Sequence, residues 1–285
     1  MQFSSMKKLF LLGMLIPSLL YAQRFHLNLF GGFSNYSGDL QDKLFTLDES
    51  YGSFGIGAQY DLTHNLSVLG NFNYAHVGAS DLYNKPSLQP RNLSFETGIY
   101  EVNGLLEYNF IDLTRHRFSP YAFAGLALYH FDPFAYDSLG HKVYLQPLST
   151  EGEGLAAYPG QKPYNLLQLA IPFGAGVKLR ISDGVVIAYE INFRKLFTDY
   201  LDDVSTFYVD QATLLAAKGP QAVQMAYRGD EIKGGLPYPP AGEKRGSPNA
   251  LDWYYTSGIR VSITINASHD HYYERGSIEC PKDVR

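Results

Sequence analysis

Hydrophobic and polar residues alternate with a period of two along most of this 285-residue chain. The clearest segment, Asn165 to Ser182, carries Leu, Ile, Phe and Val at odd positions, and Gln, Gly, Lys178 and Arg180 at even positions. A helix would scatter these residues around its circumference, whereas a strand separates them onto two faces. The segments from Gly184 to Phe197 and from Leu251 to Ile265 repeat the pattern. All three are therefore predicted to be strands with one apolar and one polar face.

Weaker alternation predicts five further strands and brings the total to eight. These segments are Phe25–Phe33, Phe54–Leu62, Leu66–Val77, Phe95–Phe110 and Tyr121–Phe131. The faces of the last segment stay unassigned, because its aromatic residues alternate with Ala and Leu and both sets are apolar.

Short and long connections alternate between the predicted strands. The short ones are Thr63–Asn65, Ile111–Arg117 and Asp183–Gly184, and the longest of the others runs from about Thr198 to Asn249. This rhythm is typical of an outer-membrane barrel, with tight periplasmic turns on one rim and long external loops on the other. We predict an all-β fold: an eight-stranded antiparallel transmembrane outer-membrane β-barrel with short periplasmic turns and long extracellular loops. A soluble sandwich or lipocalin-like barrel would also alternate, but it explains the apolar faces and the loop rhythm less well.

The first residues resemble a secretory signal peptide. Lys7 and Lys8 precede an apolar run from Leu9 to Leu20, and cleavage is expected near Ala22. An even number of strands then places both chain ends in the periplasm. The predicted organisation is a signal peptide at residues 1–22, a barrel at 23–265 and a periplasmic C-terminal tail at 266–285.

The composition agrees with strands and disfavours nucleic acid as a partner. The chain contains 23 Tyr, 18 Phe and 27 Gly, which suit pleated strands and their turns. Its formal net charge of −5 opposes binding to a phosphate backbone. Cys280 is the only cysteine, so no internal disulfide is possible, and in an exported protein it is either a free thiol or half of an intermolecular bridge.

Charged residues lie on the faces that point into the predicted barrel. An eight-stranded barrel is just wide enough for side chains to fill. Opposite charges in such a cavity should pair, because an isolated buried ion is costly. We predict structural ion pairs that plug the lumen, with a gated solute pathway as the alternative. The residues concerned are Glu101, Glu107, Lys178, Arg180, Glu190, Arg194 and Arg260.

Catalytic chemistry has little support in the sequence. Some small outer-membrane barrels are lipid-modifying enzymes that use Ser and His near the outer rim. Here His130 and Asp132 lie at the outer end of the fifth strand, and Ser119 lies near its other end. There is no GxSxG nucleophile elbow. We therefore predict no catalytic and no cofactor-binding residues.

Metal binding is likewise not expected. His269 and His271 flank Asp270 in a polar tail, and the chain has no HxxxH pair on a helix. Asp199, Asp202 and Asp203 lack the DxDxDG spacing of a calcium loop.

The same aspartates belong to an acidic, aromatic stretch at the base of the longest connection. It comprises Thr198, Asp199, Tyr200, Leu201, Asp202 and Asp203. Thr198 and Asp199 can turn the chain by accepting hydrogen bonds from nearby backbone amides. Tyr200, Leu201 and Phe207 are expected to fold back over the barrel mouth. Asp202 and Asp203 are expected to meet Arg194 or the loop's own amides. The prediction is a cap at the external mouth.

Four stretches resemble the PorG family, the small outer-membrane barrel of the type IX secretion system of Bacteroidetes bacteria. They are RKLFTDYLDDVST, YAFAGLALYHFDP, PLSTEGEGL and IPFGAGVKLRI, and the likeness runs from about Phe25 to Ile265. TDYLDDVS after an Arg-bearing strand is its most specific part. Unlike many barrels, the chain does not end on an aromatic residue of its last strand.

The resemblance implies a non-enzymatic assembly part of a protein-export machine in a Bacteroidetes-like outer membrane. Its implied partners are outer-membrane lipids and a periplasmic ring built from a lipoprotein and its partner protein. We hypothesise that Cys280 bridges or contacts a ring component, since the compartment is oxidising. The alternatives are a free-standing small porin or surface-exposed barrel and, third, an outer-membrane lipid-modifying enzyme.

Overall fold

A computed structural model describes residues 25–43, 46, 48–248 and 251–265 of the chain. The predicted signal peptide at 1–22 and the tail at 266–285, with Cys280 and the pair His269 and His271, lie outside the described residues. The strands are β1 (Phe25–Ser37), β2 (Tyr51–Asp61), β3 (Leu66–Ser80), β4 (Ser94–Asn109), β5 (Phe118–His130), β6 (Phe134–Tyr136), β7 (Lys142–Tyr144), β8 (Leu167–Ser182), β9 (Val185–Leu196) and β10 (Trp253–Thr264). The α-helices are α1 (Gln211–Lys218) and α2 (Pro220–Ala226). In the described part of the chain, no helix is long and apolar enough to cross a membrane.

The eight long strands form a closed antiparallel barrel. They pair in the order β1, β2, β3, β4, β5, β8, β9 and β10, and β10 pairs again with β1. The turns at 62–65, 110–117 and 183–184 are short and alternate with the connections at 38–50, 81–93, 131–166 and 197–252. The predicted all-β, eight-stranded antiparallel barrel is thereby confirmed.

The outer wall of the barrel is apolar, and its inner wall is largely polar. On β8, Leu169 is 60% exposed and the next residue, Ala170, is 1% exposed. Val102 and Leu126 are likewise exposed on neighbouring strands, while Lys178 is buried inside. A continuous apolar band around a closed barrel suits the hydrocarbon core of a bilayer, where every backbone group must be paired within the protein. The strands therefore cross a membrane.

The faces of β5, which its sequence leaves open, are decided by the neighbouring strand. Tyr121 and Phe123 point into the barrel, whereas Leu126 points outward. A Cβ atom at Gly176 would lie 2.8 Å from the Tyr121 ring, and one at Gly174 would lie 2.6 Å from Phe123. Glycines on the inner face of β8 thus leave the space that the two aromatic rings fill.

The described residues of the four long connections pack together at one mouth of the barrel, and we call them the cap (residues 38–43, 46, 48–50, 81–93, 131–166, 197–248 and 251–252). Each connection contributes a buried leucine to one apolar core: Leu40, Leu93, Leu145 and Leu201. The cap also contains α1, α2 and the hairpin β6–β7, none of which the sequence pattern predicted. Seven- or eight-residue helices and three-residue strands are too short to show a clear period.

Candidate functional site

Glu107 is the centre of a charge network in the half of the lumen that is nearer to the short turns. It accepts hydrogen bonds from Lys178 and Arg260, and its side chain is fully buried. Arg260 also lies 3.3 Å from Glu190, which accepts a hydrogen bond of 2.6 Å from the Tyr121 hydroxyl. Two cations and two carboxylates from four strands are therefore held together inside the barrel.

A second network lies around Glu101. The carboxylate is 3.1 Å from the Nε atom of Arg194, and it also accepts hydrogen bonds from Tyr254, Asn73 and Asn103. Four partners compensate the desolvation of this carboxylate, which is 1% exposed. The side chains of Glu101 on β4 and Arg194 on β9 thus meet inside the barrel across two intervening strands and obstruct the lumen.

Little free space remains between the two networks. A polar cavity of about 20 Å³ is lined by residues that include Asn28, Asn192 and Arg260. This volume is enough for about one water molecule. The lumen is filled by side chains rather than open.

Arg180 is an exception to the predicted lumen pairing. Its guanidinium pairs at 3.5 Å with Asp183, whose side chain is 98% exposed, and it reaches neither Glu107 nor Glu190. The register of β8 shifts between Arg180 and Ser182, just before the turn to β9. Arg180 therefore lies at the short-turn mouth, where water solvates its charge, and its assignment to the lumen network was wrong.

Arg245 joins separate parts of the cap. It is 3% exposed, its Nη1 lies 3.0 Å from Oε1 of Glu151, and it donates to the backbone carbonyls of Ala226 and Asp203. Glu151 also accepts hydrogen bonds of 2.9 and 2.8 Å from the backbone amides of Ser205 and Thr206. PLSTEGEGL and TDYLDDVST, two of the stretches that carry the family resemblance, therefore contact each other through Glu151.

Asp203 strengthens the contact between the same two stretches. Its carboxyl group accepts hydrogen bonds from Thr150 at 2.5 Å and from the Tyr164 hydroxyl at 2.8 Å. Burial, opposed by the charge of Arg245, raises the pKa of Asp203 to about 6. The ring of Tyr164 stacks on that of Tyr200, with centroids 4.8 Å apart.

Arg91 links the first two long connections to Arg245. Its guanidinium pairs with the buried Asp81 at 2.7 Å and donates to the backbone carbonyls of Arg245 and Asp39. Through Arg91 and Arg245, all four long connections are linked by buried polar contacts.

The Tyr36 hydroxyl lies 2.7 Å from a carboxyl oxygen of Asp202 and 2.7 Å from one of Asp252. A phenol has one proton to donate, so the second short contact requires a proton on one of the two carboxyl groups. Burial raises the pKa of Asp202 and of Asp252 well above the usual range, and the neighbouring acidic residues add to it. Asp199 lies close by, and burial raises its pKa to about 8.

This cluster predicts a cap that weakens as the pH rises. A carboxyl group whose pKa is higher in the folded protein stabilises it most below its unfolded pKa of about 4. That stability is lost as the pH rises toward the folded pKa, which for Asp199 is about 8. We expect proteolytic cleavage of the cap in the reconstituted barrel to be slower at pH 5 than at pH 8.5. Protease activity is normalised at each pH with an unfolded substrate.

The matched control for the pH experiment is Asp202→Asn, which removes one titrating group and keeps a hydrogen-bonding side chain of the same shape. The pH dependence should become smaller in this variant. Equal cleavage of the native cap at both pH values would contradict the inference that a carboxyl group bonded to Tyr36 is protonated in the folded cap.

The acidic stretch makes the predicted hydrogen bonds to nearby amides, but not the predicted ion pair. Thr198 accepts a hydrogen bond of 3.2 Å from the amide of Tyr200, and Asp202 accepts one of 2.9 Å from the amide of Val204. The expected pairing of Asp202 and Asp203 with Arg194 is not made, because Arg194 points into the lumen and binds Glu101. Leu201 is fully buried in the cap core, whereas Phe207 is 47% exposed instead of folding inward.

The important partners of this stretch were missed by the sequence reasoning. Asp252 belongs to a predicted strand segment, Tyr36 lies three residues beyond the end of another, and Arg91 and Arg245 lie in polar connections with no period. Glu151 lies in PLSTEGEGL, a stretch that carries the family resemblance but no recognisable site motif. Spacing along the chain could not indicate any of these contacts.

The residues weighed for lipid chemistry do not come together. His130 is exposed on the outer wall of β5, while Ser119 is buried on the opposite face. The two residues are eleven positions apart along one strand, about 36 Å. Within the described ranges, no group of three or more His, Cys, Asp or Glu residues is arranged to hold a metal ion.

A family model described as a domain of unknown function, DUF6089, matches residues 6–214. No curated protein matches the chain. Among solved structures, neisserial surface protein A is 11% identical with a TM-score of 0.42, and the alignment covers 85% of this chain and 97% of that one. OprG of Pseudomonas aeruginosa is 10% identical with a TM-score of 0.40, over 86% and 98% of the two chains. A major outer membrane protein of Thermus thermophilus is 10% identical with a TM-score of 0.40, over 85% and 99%. Identities of 10–11% are too low to transfer a function from these proteins to this chain.

Proposed function

We propose, from the premise that this chain belongs to the DUF6089 family, that it is an outer-membrane barrel acting as an assembly and anchoring component of the type IX secretion system. The observation that carries the proposal is a lumen closed by the networks of Glu101 and Glu107 beneath an interlocked cap. A filled barrel disfavours the porin alternative. The distance between Ser119 and His130 disfavours a lipid-modifying enzyme. We infer that the barrel presents surfaces to other proteins.

The proposed orientation places the short turns and both chain ends in the periplasm, and the cap outside the cell. Phe25 and Ile265 are neighbours, since the amide of Ile265 donates to the carbonyl of Phe25 at 2.9 Å. Ile265, the last described residue, therefore lies at the short-turn rim. The proposed contacts are the periplasmic ring lipoprotein and its partner protein, reached through residues 266–285 and Cys280.

A pull-down from gently solubilised envelopes tests this proposal. We expect the tagged full-length barrel to recover a periplasmic ring lipoprotein, identified by mass spectrometry, and a chain ending at Ala267 to lose it. Heat-modifiable gel mobility controls for correct folding of the truncated barrel.

Cys280→Ser is the matched variant for the hypothesised bridge. On a non-reducing gel, an adduct present with native protein and absent with this variant supports the bridge. Recovery of the barrel alone, from both the full-length and the truncated form, would overturn the assembly role.

A further inference from the structure

A row of aromatic side chains extends along the outer wall of β3 and β4 toward the cap. Tyr74 and Tyr100 face each other across these strands, with ring centroids 5.2 Å apart. Beyond them, the ring of His76 lies 4.6 Å from that of Tyr51, and its Nε2 lies 2.9 Å from Glu96. The row thus starts in the apolar band and becomes polar as it rises.

The hairpin β6–β7 extends this row above the barrel wall. Glu96 of β4 is paired with Phe134 of β6, so the outer face continues from one strand to the next. Alternation along the hairpin buries Ala135 and Val143 against the cap core. Three exposed side chains on the opposite, outward face are Tyr136, Lys142 and Tyr144, and the Phe134 ring, 5% exposed, lies beneath Lys142.

The outward face of the hairpin combines aromatic faces with polar groups. The ammonium of Lys142 lies 3.5 Å from the ring centroid of Phe134 and 4.9 Å from that of Tyr144. Tyr136 and Tyr144 are 45% and 46% exposed. We call this surface the outer strip: Tyr51, His76, Glu96, Phe134, Tyr136, Lys142 and Tyr144.

We propose that the outer strip binds the oligosaccharide of the glycolipid that forms the outer leaflet of the membrane. The proposal rests on the outer-membrane placement with the cap outside, and it is independent of the secretion role. Sugar rings pack their C–H faces on aromatic rings, and their hydroxyls bond with groups such as the carboxylate of Glu96 and the imidazole of His76. Lys142 adds a cation for phosphate or carboxylate substituents.

Continuity with the apolar band selects this occupant. A lipid whose tails lie against Val102 and Leu106 has its head beside Tyr100, where the outer strip begins. Glu96 lies four residues beyond Tyr100 on β4, about 13 Å along the strand, which at the usual tilt raises it about 10 Å above Tyr100. At this height above the hydrocarbon core lie the sugars of a glycolipid in the outer leaflet.

The test compares two lipids in nanodiscs: rough-form lipopolysaccharide with its core oligosaccharide, and the same lipid truncated to lipid A. Native mass spectrometry of the released full-length barrel measures the bound fraction of each. We expect native protein to favour the core-bearing lipid about tenfold. The variant Tyr136→Ser/Tyr144→Ser should lose this preference and bind lipid A as before.

Leu139→Ser is the matched control, because Leu139 is 78% exposed at the tip of the same hairpin. It should keep the preference. Equal binding of both lipids by native protein, or an unchanged preference in the tyrosine variant, would overturn the proposal. The tyrosine variant should still recover the ring lipoprotein, so a failure of the secretion role is seen separately.

Discussion

Replacing Glu107 by Gln is expected to lower the free energy of unfolding of the barrel by about 3–5 kcal/mol. The substitution keeps the shape of the side chain but leaves Lys178 and Arg260 without the carboxylate that both contact. Lys178 lies 3% exposed and Arg260 5%, so water cannot replace the lost partner. Of these two cations, Arg260 alone retains a carboxylate, that of Glu190. Urea unfolding in lipid vesicles, followed by heat-modifiable gel mobility, measures the change.

The control for Glu107→Gln is Asp183→Asn, which makes the same acid-to-amide change at an exposed ion pair with Arg180. Exposed pairs contribute little, so this variant should unfold like the native protein. A Glu107→Gln barrel as stable as the Asp183→Asn barrel would mean that the lumen charges are not coupled.

The second large effect is expected at Arg245. In Arg245→Met the side chain keeps its apolar stem but no longer pairs with Glu151, which remains buried without a cation. Removing one partner of a buried pair costs about 3–5 kcal/mol. Because Arg245 contacts the cap and not the lumen, the loss should appear as local opening of the cap. Limited proteolysis of the reconstituted protein should cleave the long connections faster, while the barrel keeps its heat-modifiable mobility.

Lys244→Met provides the control for this variant, since Lys244 is the exposed neighbour of Arg245 in the chain. It should leave cleavage unchanged. The double variant Glu151→Gln/Arg245→Met should be less than additive, because each single change removes the same interaction. Cleavage of Arg245→Met no faster than that of Lys244→Met would show that the pair does not hold the cap closed.

The cap and the lumen have separate polar centres. Glu101 and Glu107 pair with cations that come from other barrel strands, whereas Glu151 pairs with a cation inside a connection. The acidic stretch at Asp199–Asp203 belongs to the second group. Changes there should affect the cap and its pH dependence before they affect the barrel.

The sequence by itself determined the eight barrel strands, the faces of seven of them and the alternation of short and long connections. Period-two alternation is a local property, because the polarity of each residue indicates the face of the strand on which its own side chain lies. The inward face of β5 could not be predicted, because both of its faces are apolar. It is decided by the space that Gly174 and Gly176 of β8 leave for aromatic rings.

Only the tertiary structure decided which charges meet. Tyr36 contacts Asp202 and Asp252 across 166 and 216 positions of the chain, and Arg245 contacts Glu151 across 94. Arg180 and Arg194 both alternate correctly on their strands, yet one lies at the mouth in water and the other in the lumen against Glu101. A pattern along the chain states which side of a strand a residue occupies. How far along the barrel it lies, and what faces it there, depend on strand register and loop packing, which are set by contacts between distant segments.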